Sequence, residues 1–549
     1  MRANLGGAID FASPTARNSV PLELFVGGGS FGIANGRLTA GEVAGDWDGL
    51  VTVDEKQRDG YRGHSRQDRS SVYANVGWQP SAGVDLRLFA THIENDEQLA
   101  GALTRAQFDA DSCQANPSAI TGNFQLNVRI DRAAAKGTWI PDETKRLELG
   151  LSYEDQNLYH PIVDKILVDF DGAGPNAPVE VFSLLKNTDQ RTYAGVARYN
   201  ISSGAHDVLI GLNVADTRET GGNFRNDGGR RNGQTGIINN QSDSAELFVV
   251  DRWAFAPGWT LVYGAQGVRT ARDVRTTELA SGTVRNPRRD YSSINPRLGV
   301  LRAITPTSEA FASVSRLFEA PTTFELTDDL HGGNATLDPM QGTVVEAGLR
   351  GATKADASKP RWHWDTSVYY ARIRDEILSV DSPVAPGTSL SANIHRTTHG
   401  GIEALVGVSL PLGNGVDRIE PLLSASYNRF FFDGDLVYGD NRLPAAPAYA
   451  MRGEVIYRHG NGFLVGPTFD WVGSRYADFS NSYRLAGYHL FGLRAGIRRD
   501  RWQVFGELRN LTDQRYVGTM SVRDRTSAGH AVLQPGAPRS VSAGARLSF

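Results

Sequence analysis

Side chains suited to recognising an anionic ligand recur in several polar stretches of this sequence. Arginine guanidinium groups bind carboxylate oxygens bidentately, and aromatic rings stack on flat ligand surfaces. The candidate ligand-binding residues are Tyr61, Arg62, His64, Arg66, Tyr159, His160, Phe224, Arg225, Arg230, Arg231 and His331. The alternative is that they are solvated charges of surface loops. The choice depends on the elements that carry them.

Signals for catalysis are weak. The glycine-rich run at residues 27–32 resembles a phosphate-binding loop only superficially, because no strand–helix unit follows it. A short hairpin explains these glycines, since glycine adopts positive φ without strain. Serine, histidine and aspartate all occur, but the sequence shows no local pairing of a nucleophile with a base. We therefore expect neither an enzyme nor a cofactor.

The stretches between the candidate loops alternate in polarity residue by residue. At the C-terminus, Val541, Ala543, Ala545, Leu547 and Phe549 share one parity, and polar residues or glycine occupy the other. Alternate side chains of a strand point to opposite faces, so this segment has one apolar face. It is typical of the closing strand of a membrane barrel, with the terminal Phe at the interface. Similar alternation occurs at 84–91, 147–154, 207–214, 491–498 and 502–509.

Composition excludes several other classes of protein. The chain has 549 residues, 60 of them Gly, and a formal net charge of −4, so no basic field favours nucleic acid. No run approaches the ~20 apolar residues of a membrane helix. Cys113 is the single cysteine, so the sequence offers neither a disulfide framework nor a thiolate cluster.

The connections between the alternating segments are of two kinds, short turns and long loops. Tight turns are predicted near 45–48, 79–82, 202–204, 256–258, 413–415, 460–462 and 499–500. Long loops are predicted at about 58–68, 95–125, 158–187, 220–242, 319–341 and 512–537. Short turns at one edge and long loops at the other are the signature of an outer-membrane barrel. We predict an all-β fold: a 22-stranded antiparallel transmembrane β-barrel with short periplasmic turns and long extracellular loops, a size that can hold a plug.

Strand length and repeats refine this prediction. The stretches near 261–279, 361–380 and 463–479 exceed the ~9–11 residues that cross a bilayer, so we expect them to project beyond it. A soluble propeller is the alternative fold, but it requires a repeat of roughly 40–50 residues, which the sequence lacks. His395 and His399, four apart on a strand, would share a face. With no third ligand evident and His363 not placed, we expect a lumen-lining or loop-base pair and no metal site.

Several motifs resemble the TonB-dependent outer-membrane receptors. They are LELFVGGGSFG at 22–32, DGYRGHSRQD at 59–68, SRLFEAPTTFEL at 315–326, QGTVVEAGLRG at 341–351, LSANIHRTTHGGIEALVG at 390–407, FGELRNLTDQRY at 505–516 and the terminal strand. The similarity covers essentially the whole chain, and the siderophore and ferric-citrate branch is the nearest.

The resemblance implies a location and partners. It implies a receptor in the outer membrane of a Gram-negative bacterium that takes up a ferric siderophore or similar iron chelate. Ferric chelates are often anionic and partly aromatic, which suits the candidate loop residues. Their charges would also meet lipopolysaccharide at the cell surface. We expect a monomer surrounded by outer-membrane lipid.

The family also has an N-terminal plug and an energy-coupling box. RANLGGAIDFAS at 2–13 is similar to the last plug strand. We therefore expect residues 1–18 to be the remnant of that strand with its linker, residues 19–549 to be the barrel, and Met1 to be an internal start or truncation. Coupling to the TonB complex would pass only through the absent plug and box. The alternatives are a passive porin-like channel and a non-functional receptor fragment.

Overall fold

Strands dominate the protein and close into one barrel. The computed structural model describes residues 13–170, 177–354, 359–381, 389–413 and 416–549. Within these residues, 22 antiparallel strands form the barrel, as the sequence predicted. A further short strand extends one hairpin, and four more form two small sheets in the loops.

In chain order the strands are β1 Leu22–Gly29, β2 Ile33–Ala44, β3 Trp47–Arg58, β4 Gln67–Ser81, β5 Val84–Glu97, β6 Asn127–Asp142, β7 Lys145–Val168, β8 Val179–Ser203, β9 His206–Asp227, β10 Arg230–Ala256, β11 Trp259–Glu278, β12 Val284–Arg285, β13 Arg288–Thr305, β14 Ser308–Glu319, β15 Met340–Ala352, β16 Arg361–Asp381, β17 Ser389–Leu412, β18 Asp417–Phe432, β19 Tyr449–Arg458, β20 Phe463–Val472, β21 Arg475–Tyr476, β22 Arg484–Leu485, β23 Tyr488–Arg498, β24 Trp502–Arg509, β25 Val517–Met520, β26 Leu533–Pro535 and β27 Ser540–Ser548. Strand β12 extends the β11 hairpin, β21 pairs with β22, and β25 pairs with β26. The remaining strands form the barrel wall.

The last strand closes the barrel. Strand β27 pairs antiparallel with both β24 and β1, and Leu547 lies opposite Leu24 across the seam. This pairing confirms the prediction that the terminal segment is the closing strand of a barrel. Closure leaves the wall without a sheet edge, so its backbone groups are satisfied between neighbouring strands.

The outer face of the wall is apolar because the strands alternate in polarity. Leu88, Leu151, Leu247 and Ile294 all point outward and are largely exposed. The opposite parity points into the lumen and carries charged groups such as Arg37, whose Nε lies 2.8 Å from Asp54 Oδ2. An exposed apolar band around a polar interior is the pattern of a barrel in a bilayer.

An aromatic girdle marks the edge that carries the short turns. Trp47 and Trp78 stack there with ring centroids 5.7 Å apart. Tryptophan favours the membrane interface because its ring is apolar and its N–H is polar. The exposed tryptophans near this edge are Trp47, Trp78, Trp139, Trp253, Trp259, Trp362 and Trp502.

The predicted sorting of connections holds, with three corrections. Every predicted tight turn falls at the short-turn edge, although residues 414–415 lie outside the described part of the chain. Two predicted loops are wrong: most of 158–187 belongs to β7 and β8, and 220–242 is a hairpin that turns at residues 228–229, both glycines with positive φ. Polar composition indicated loops there, but strands beyond the membrane carry polar residues on both faces. Residues 171–176 of the first loop lie outside the described residues.

The third correction concerns strand length. Strands β11 and β16 are long, as predicted for 261–279 and 361–380, but β20 ends at Val472 rather than continuing to 479. Irregular loops at 279–287, 433–448 and 473–487 were not predicted. Apolar side chains in two of these loops are buried. Leu443 and Phe479 form one cluster with Phe432 of β18 and Ile394 of β17.

The helices are short and lie outside the barrel wall. They are a 3-10 helix at Ala16–Asn18 and three α-helices, α1 at Arg105–Ala110, α2 at Pro117–Thr121 and α3 at Thr323–Thr327. None of the helices in the described part of the chain is long and apolar enough to cross a membrane.

The segment before β1 is fixed to the inner wall. Arg17 Nε lies 2.8 Å from Asp48 Oδ2, and the side chain of Asn75 donates to the carbonyl of Pro14 at 3.1 Å. The assignment of residues 1–18 to a plug remnant stays a prediction, because residues 1–12 lie outside the described residues.

Candidate ligand-binding vestibule

A large cavity lies in the lumen at the long-loop edge. Its volume is about 1430 Å³. Its wall comes from the inward faces of strands such as β3, β20 and β24, and its roof from the loops at 59–66, 98–126 and 510–539. We call this cavity the vestibule.

Packed side chains hold the roof in place. Leu103 and Phe108 of the 98–126 loop pack with Val532 and Leu533 of the 510–539 loop in one buried cluster. Within the 98–126 loop, α1 has a capping box in which the side chain of Thr104 accepts from the Gln107 backbone N–H at 3.2 Å. The roof is therefore an ordered structure with its own hydrophobic core.

Arg62 joins the roof loops to one another. Its Nε and Nη2 donate to the carbonyl of Gln114 at 3.1 and 3.0 Å, and Nη2 also donates to the carbonyl of Ala100 at 3.3 Å. Its Nη1 donates to Gln534 Oε1 at 3.0 Å. Burial lowers the pKa of the Arg62 guanidinium, but arginine remains charged throughout the physiological range.

Tyrosines provide flat surfaces on the vestibule wall. Tyr61 donates to the carbonyl of Pro535 at 2.8 Å, and its ring meets Phe31 edge-on at 6.0 Å between centroids. Tyr488 and Tyr516 pack with ring centroids 4.4 Å apart. Burial raises the pKa of Tyr61, and it raises the pKa of Tyr516 to about 12. Both phenols are therefore neutral at physiological pH.

Among the predicted ligand-binding residues, Tyr61 and Arg62 line the vestibule. His64 lies beside them with φ of 52°, and its Nε2 is 2.9 Å from the carbonyl oxygen of Phe124. Arg66 is exposed and pairs with Asp68 at 2.7 Å. These two residues belong to the same loop but lie outside the cavity lining.

The remaining candidates are spread over other parts of the long-loop edge. Tyr159 donates to the carbonyl of Gly229 at 2.8 Å, and the half-buried His160 ring bonds the carbonyl of Gln125 through Nδ1. Arg231 lies over the ring of Phe224 at 5.3 Å.

Arg225 and Arg230 are exposed on the same β9–β10 hairpin. His331 bonds Asp329 through Nδ1 at 2.9 Å. The structure therefore does not gather all eleven candidates into one site, and a ligand-binding role for each stays a prediction.

One member of the histidine pair on β17, His399, has a local structural partner. His399 Nε2 lies 3.1 Å from Glu376 Oε2, and its ring stacks on Phe430 at 4.6 Å. Throughout the described ranges, no group of three His, Cys, Asp or Glu side chains is arranged to hold a metal ion.

Sequence reasoning missed the wall residues of the vestibule. Arg452, Arg509 and Tyr488 lie in strands outside the predicted loops, and Arg58 ends β3 at the edge of the predicted 58–68 loop. The sequence did contain a signal for Arg58, namely its place in the alternation of β3. Arg58 shares the strand face of Asp54 and Lys56, which pair with each other inside the lumen.

Comparison with known proteins agrees with this architecture. A family described as TonB dependent receptor-like, beta-barrel matches residues 10–511. Three solved structures show the same fold. The ferric-catecholate import receptor Fiu from E. coli K12 has a TM-score of 0.75 at 15% identity, covering 98% of this chain and 83% of that one.

The ferric citrate transporter FecA, unliganded, has a TM-score of 0.76 at 16% identity and covers 97% of this chain and 79% of that one. The ferric yersiniabactin uptake receptor FyuA from Yersinia pestis has a TM-score of 0.76 at 15% identity, with coverages of 96% and 80%. The chain belongs to the TonB-dependent receptor β-barrel family. Members of this family are transport receptors of the Gram-negative outer membrane rather than enzymes.

Proposed function

We propose that this chain forms the barrel of an outer-membrane receptor that captures an iron chelate in the vestibule for TonB-dependent uptake. The observation that carries the proposal is the vestibule itself, a roofed cavity of about 1430 Å³ with aromatic and charged walls. Pockets for drug-sized ligands measure about 300–1,000 Å³, so this one has room for a bulky chelate. The structural relatives named for ferric catecholate, ferric citrate and ferric yersiniabactin support the same class of ligand.

The architecture accounts for capture at the cell surface. The long-loop edge faces outward in the family, and the roof loops bring Tyr61 and the wall residues around one space. A ligand held with nanomolar affinity is bound by ~12 kcal/mol, so its release into the lumen requires energy. In the proposed mechanism that energy comes through TonB and the plug, and the chelate then passes along the polar lumen.

The same proposal predicts which molecules surround the barrel in the outer membrane. Outer-membrane lipid covers the apolar band, and lipopolysaccharide head groups meet the charged strand extensions above it. We propose that the receptor acts as a monomer.

Uptake by living cells tests the function. A strain deleted for its own receptors would carry the full-length receptor containing this barrel, and uptake of radioactive iron would be measured with and without TonB. We expect uptake of at least one ferric chelate that stops when TonB is deleted. Tyr61→Ala should weaken binding, whereas Tyr193→Ala, which alters an exposed tyrosine on the outer face, should not.

A passive channel is the second candidate. It is favoured by the lumen, because ion pairs such as Arg494–Glu454 at 2.8 Å form a water-compatible lining in a wide barrel. A planar-bilayer measurement separates the two proposals. Steady conductance together with TonB-independent entry of the chelate would support the channel and contradict the receptor.

A further inference from the structure

The charged groups of the vestibule nearly cancel. Its cationic side chains are Arg58, Arg62, Lys165, Arg452 and Arg509. Its carboxylates are Glu97, Asp164, Asp470 and Glu507. The lining therefore has one excess positive charge, which is small for a cavity of this volume.

Three of the cations are paired with carboxylates of the same wall. Arg58 Nη2 lies 2.7 Å from Glu97 Oε1, and Arg509 Nη2 lies 2.9 Å from Glu507 Oε2. Arg452 Nε lies 3.4 Å from Asp470 Oδ1. These ion pairs offset the positive charge of the three guanidinium groups, so an anionic ligand gains less from them than it would from unpaired arginines.

The other two cations are also engaged. Lys165 pairs with Asp227 of the neighbouring β9–β10 hairpin. Arg62 has no carboxylate partner within hydrogen-bonding distance in the described residues, but it donates to the carbonyl oxygens of Ala100 and Gln114 and to the side chain of Gln534. These hydrogen bonds join the loops of the roof and use most of the donors of the Arg62 guanidinium.

The remaining surface is neutral and aromatic. Phe31, Tyr61, Tyr488 and Tyr516 line the same space. Aromatic faces and phenolic hydroxyls recognise a flat, uncharged or weakly charged ligand by stacking and hydrogen bonding. A multiply charged anion would lose its hydration on entry and meet a lining whose net charge is only one positive unit.

From this arrangement we infer that the vestibule selects a ferric chelate whose net charge is close to zero. A complex in which three singly charged bidentate groups such as hydroxamates neutralise Fe³⁺ has this property. Ferric tris-catecholate and ferric citrate carry several negative charges and are selected against. The inference rests on the proposed function, since it names the chemical class of the chelate bound at that site.

Binding of three probes to the purified full-length receptor tests the inference. The probes are a neutral ferric trihydroxamate, an anionic ferric tris-catecholate and ferric citrate, each titrated at about 0.05 and 0.5 M salt. The trihydroxamate should bind at least about tenfold more tightly than either anion, with affinity that salt changes by less than about twofold. Tighter binding of an anionic chelate, weakened by salt, overturns the inference and leaves the proposed function intact. Failure of all three probes to bind overturns both.

A charge-releasing variant tests the cause of the selection. Glu97→Gln removes the carboxylate that pairs with Arg58 and should raise the affinity for ferric tris-catecholate relative to the trihydroxamate by about fivefold or more. Glu94→Gln is the matched control, because Glu94 lies on the same strand but is exposed on the outer face. An affinity ratio that Glu97→Gln leaves unchanged overturns the explanation. The salt series on the unaltered receptor keeps the inference testable if the variant does not fold.

Discussion

Arg62 donates a hydrogen bond of 3.0 Å to Gln534, although 472 positions separate the two residues in the chain. The same guanidinium donates to the backbone of the 98–126 loop through the carbonyls of Ala100 and Gln114. Three loops that are far apart in sequence therefore share one buried side chain. The roof of the vestibule behaves as a unit because its loops are joined at this point.

Replacing Arg62 should loosen that unit. Arg62→Ala removes the four hydrogen bonds and leaves the half-buried Gln114 carbonyl and Gln534 Oε1 without this donor, which should weaken loop docking by about 3 kcal/mol. Hydrogen exchange in 98–126 and 510–539 should accelerate by about a hundredfold, since each 1.4 kcal/mol is worth a factor of ten. Arg66→Ala is the control, because its ion pair with Asp68 is exposed and screened by solvent and should contribute little to loop docking. Unchanged exchange in Arg62→Ala would show that the hydrophobic cluster holds the loops by itself.

A charge introduced on the outer face of a strand should destabilise the barrel more than a charge introduced on its lumen face. Leu151 is 71% exposed on the apolar outer face, and the next residue, Ser152, has lumen parity. Leu151→Arg should destabilise the barrel by about 2–4 kcal/mol, because it places a cation in the hydrocarbon region. Ser152→Arg should cost much less, since its charge enters the wet lumen. Denaturant unfolding in lipid vesicles measures the difference, and equal losses would contradict the assignment of the two faces.

The wall of the barrel could be predicted from the sequence because its physical rule is local. Alternation of period two fixes strand faces, and this was sufficient for segments such as 147–154 and the closing strand. Where β9 and β10 extend beyond the membrane, the outward residues become polar. The alternation is lost there, so the sequence indicated a loop instead of two strands. The alternation of hydrophobicity stops at the membrane boundary, whereas the hydrogen-bonded ladder continues.

The vestibule could be predicted only in part. Tyr61 and Arg62 were found because arginine and tyrosine concentrate in a loop with a family motif. Arg58 and Arg452 were not, because their role depends on the strand registers that bring Glu97 and Asp470 beside them. The pairing of Arg452 with Asp470 on the next strand is a matter of register, and periodicity alone does not determine register.

Acidification should loosen the 98–126 loop through His160. Burial lowers the pKa of His160 below its ordinary value of 6.5, and Nδ1 donates to the carbonyl of Gln125 in the neutral ring. Because the undocked state binds the proton more readily, docking is complete above about pH 6.5 and is lost progressively as the pH falls below that value. Limited proteolysis of this loop between about pH 5 and 7.5 should show faster cleavage at the acidic end.

Two variants separate the contributions to that pH dependence. His160→Gln keeps a donor for Gln125 but cannot titrate, so its cleavage rate should vary little with pH. His64, which contacts the Phe124 carbonyl in the same loop, is replaced by Gln in the control. His64→Gln should keep the pH response, and a response that persists in His160→Gln would contradict the assignment to His160.

Removal of residues 538–549 should abolish assembly of the barrel. The deletion takes away β27, which bonds β24 on one side and β1 on the other. Both neighbours would then present unpaired N–H and C=O groups, and in the bilayer each such group costs several kcal/mol. We expect no heat-modifiable folded band on electrophoresis.

Phe549→Ala is the control for this deletion. It keeps the backbone hydrogen bond from residue 549 to the Leu22 carbonyl, 2.9 Å in the native chain, and loses only an exposed ring. That variant should still fold, so a folded band from the deletion would mean that β1 and β24 can close the barrel directly.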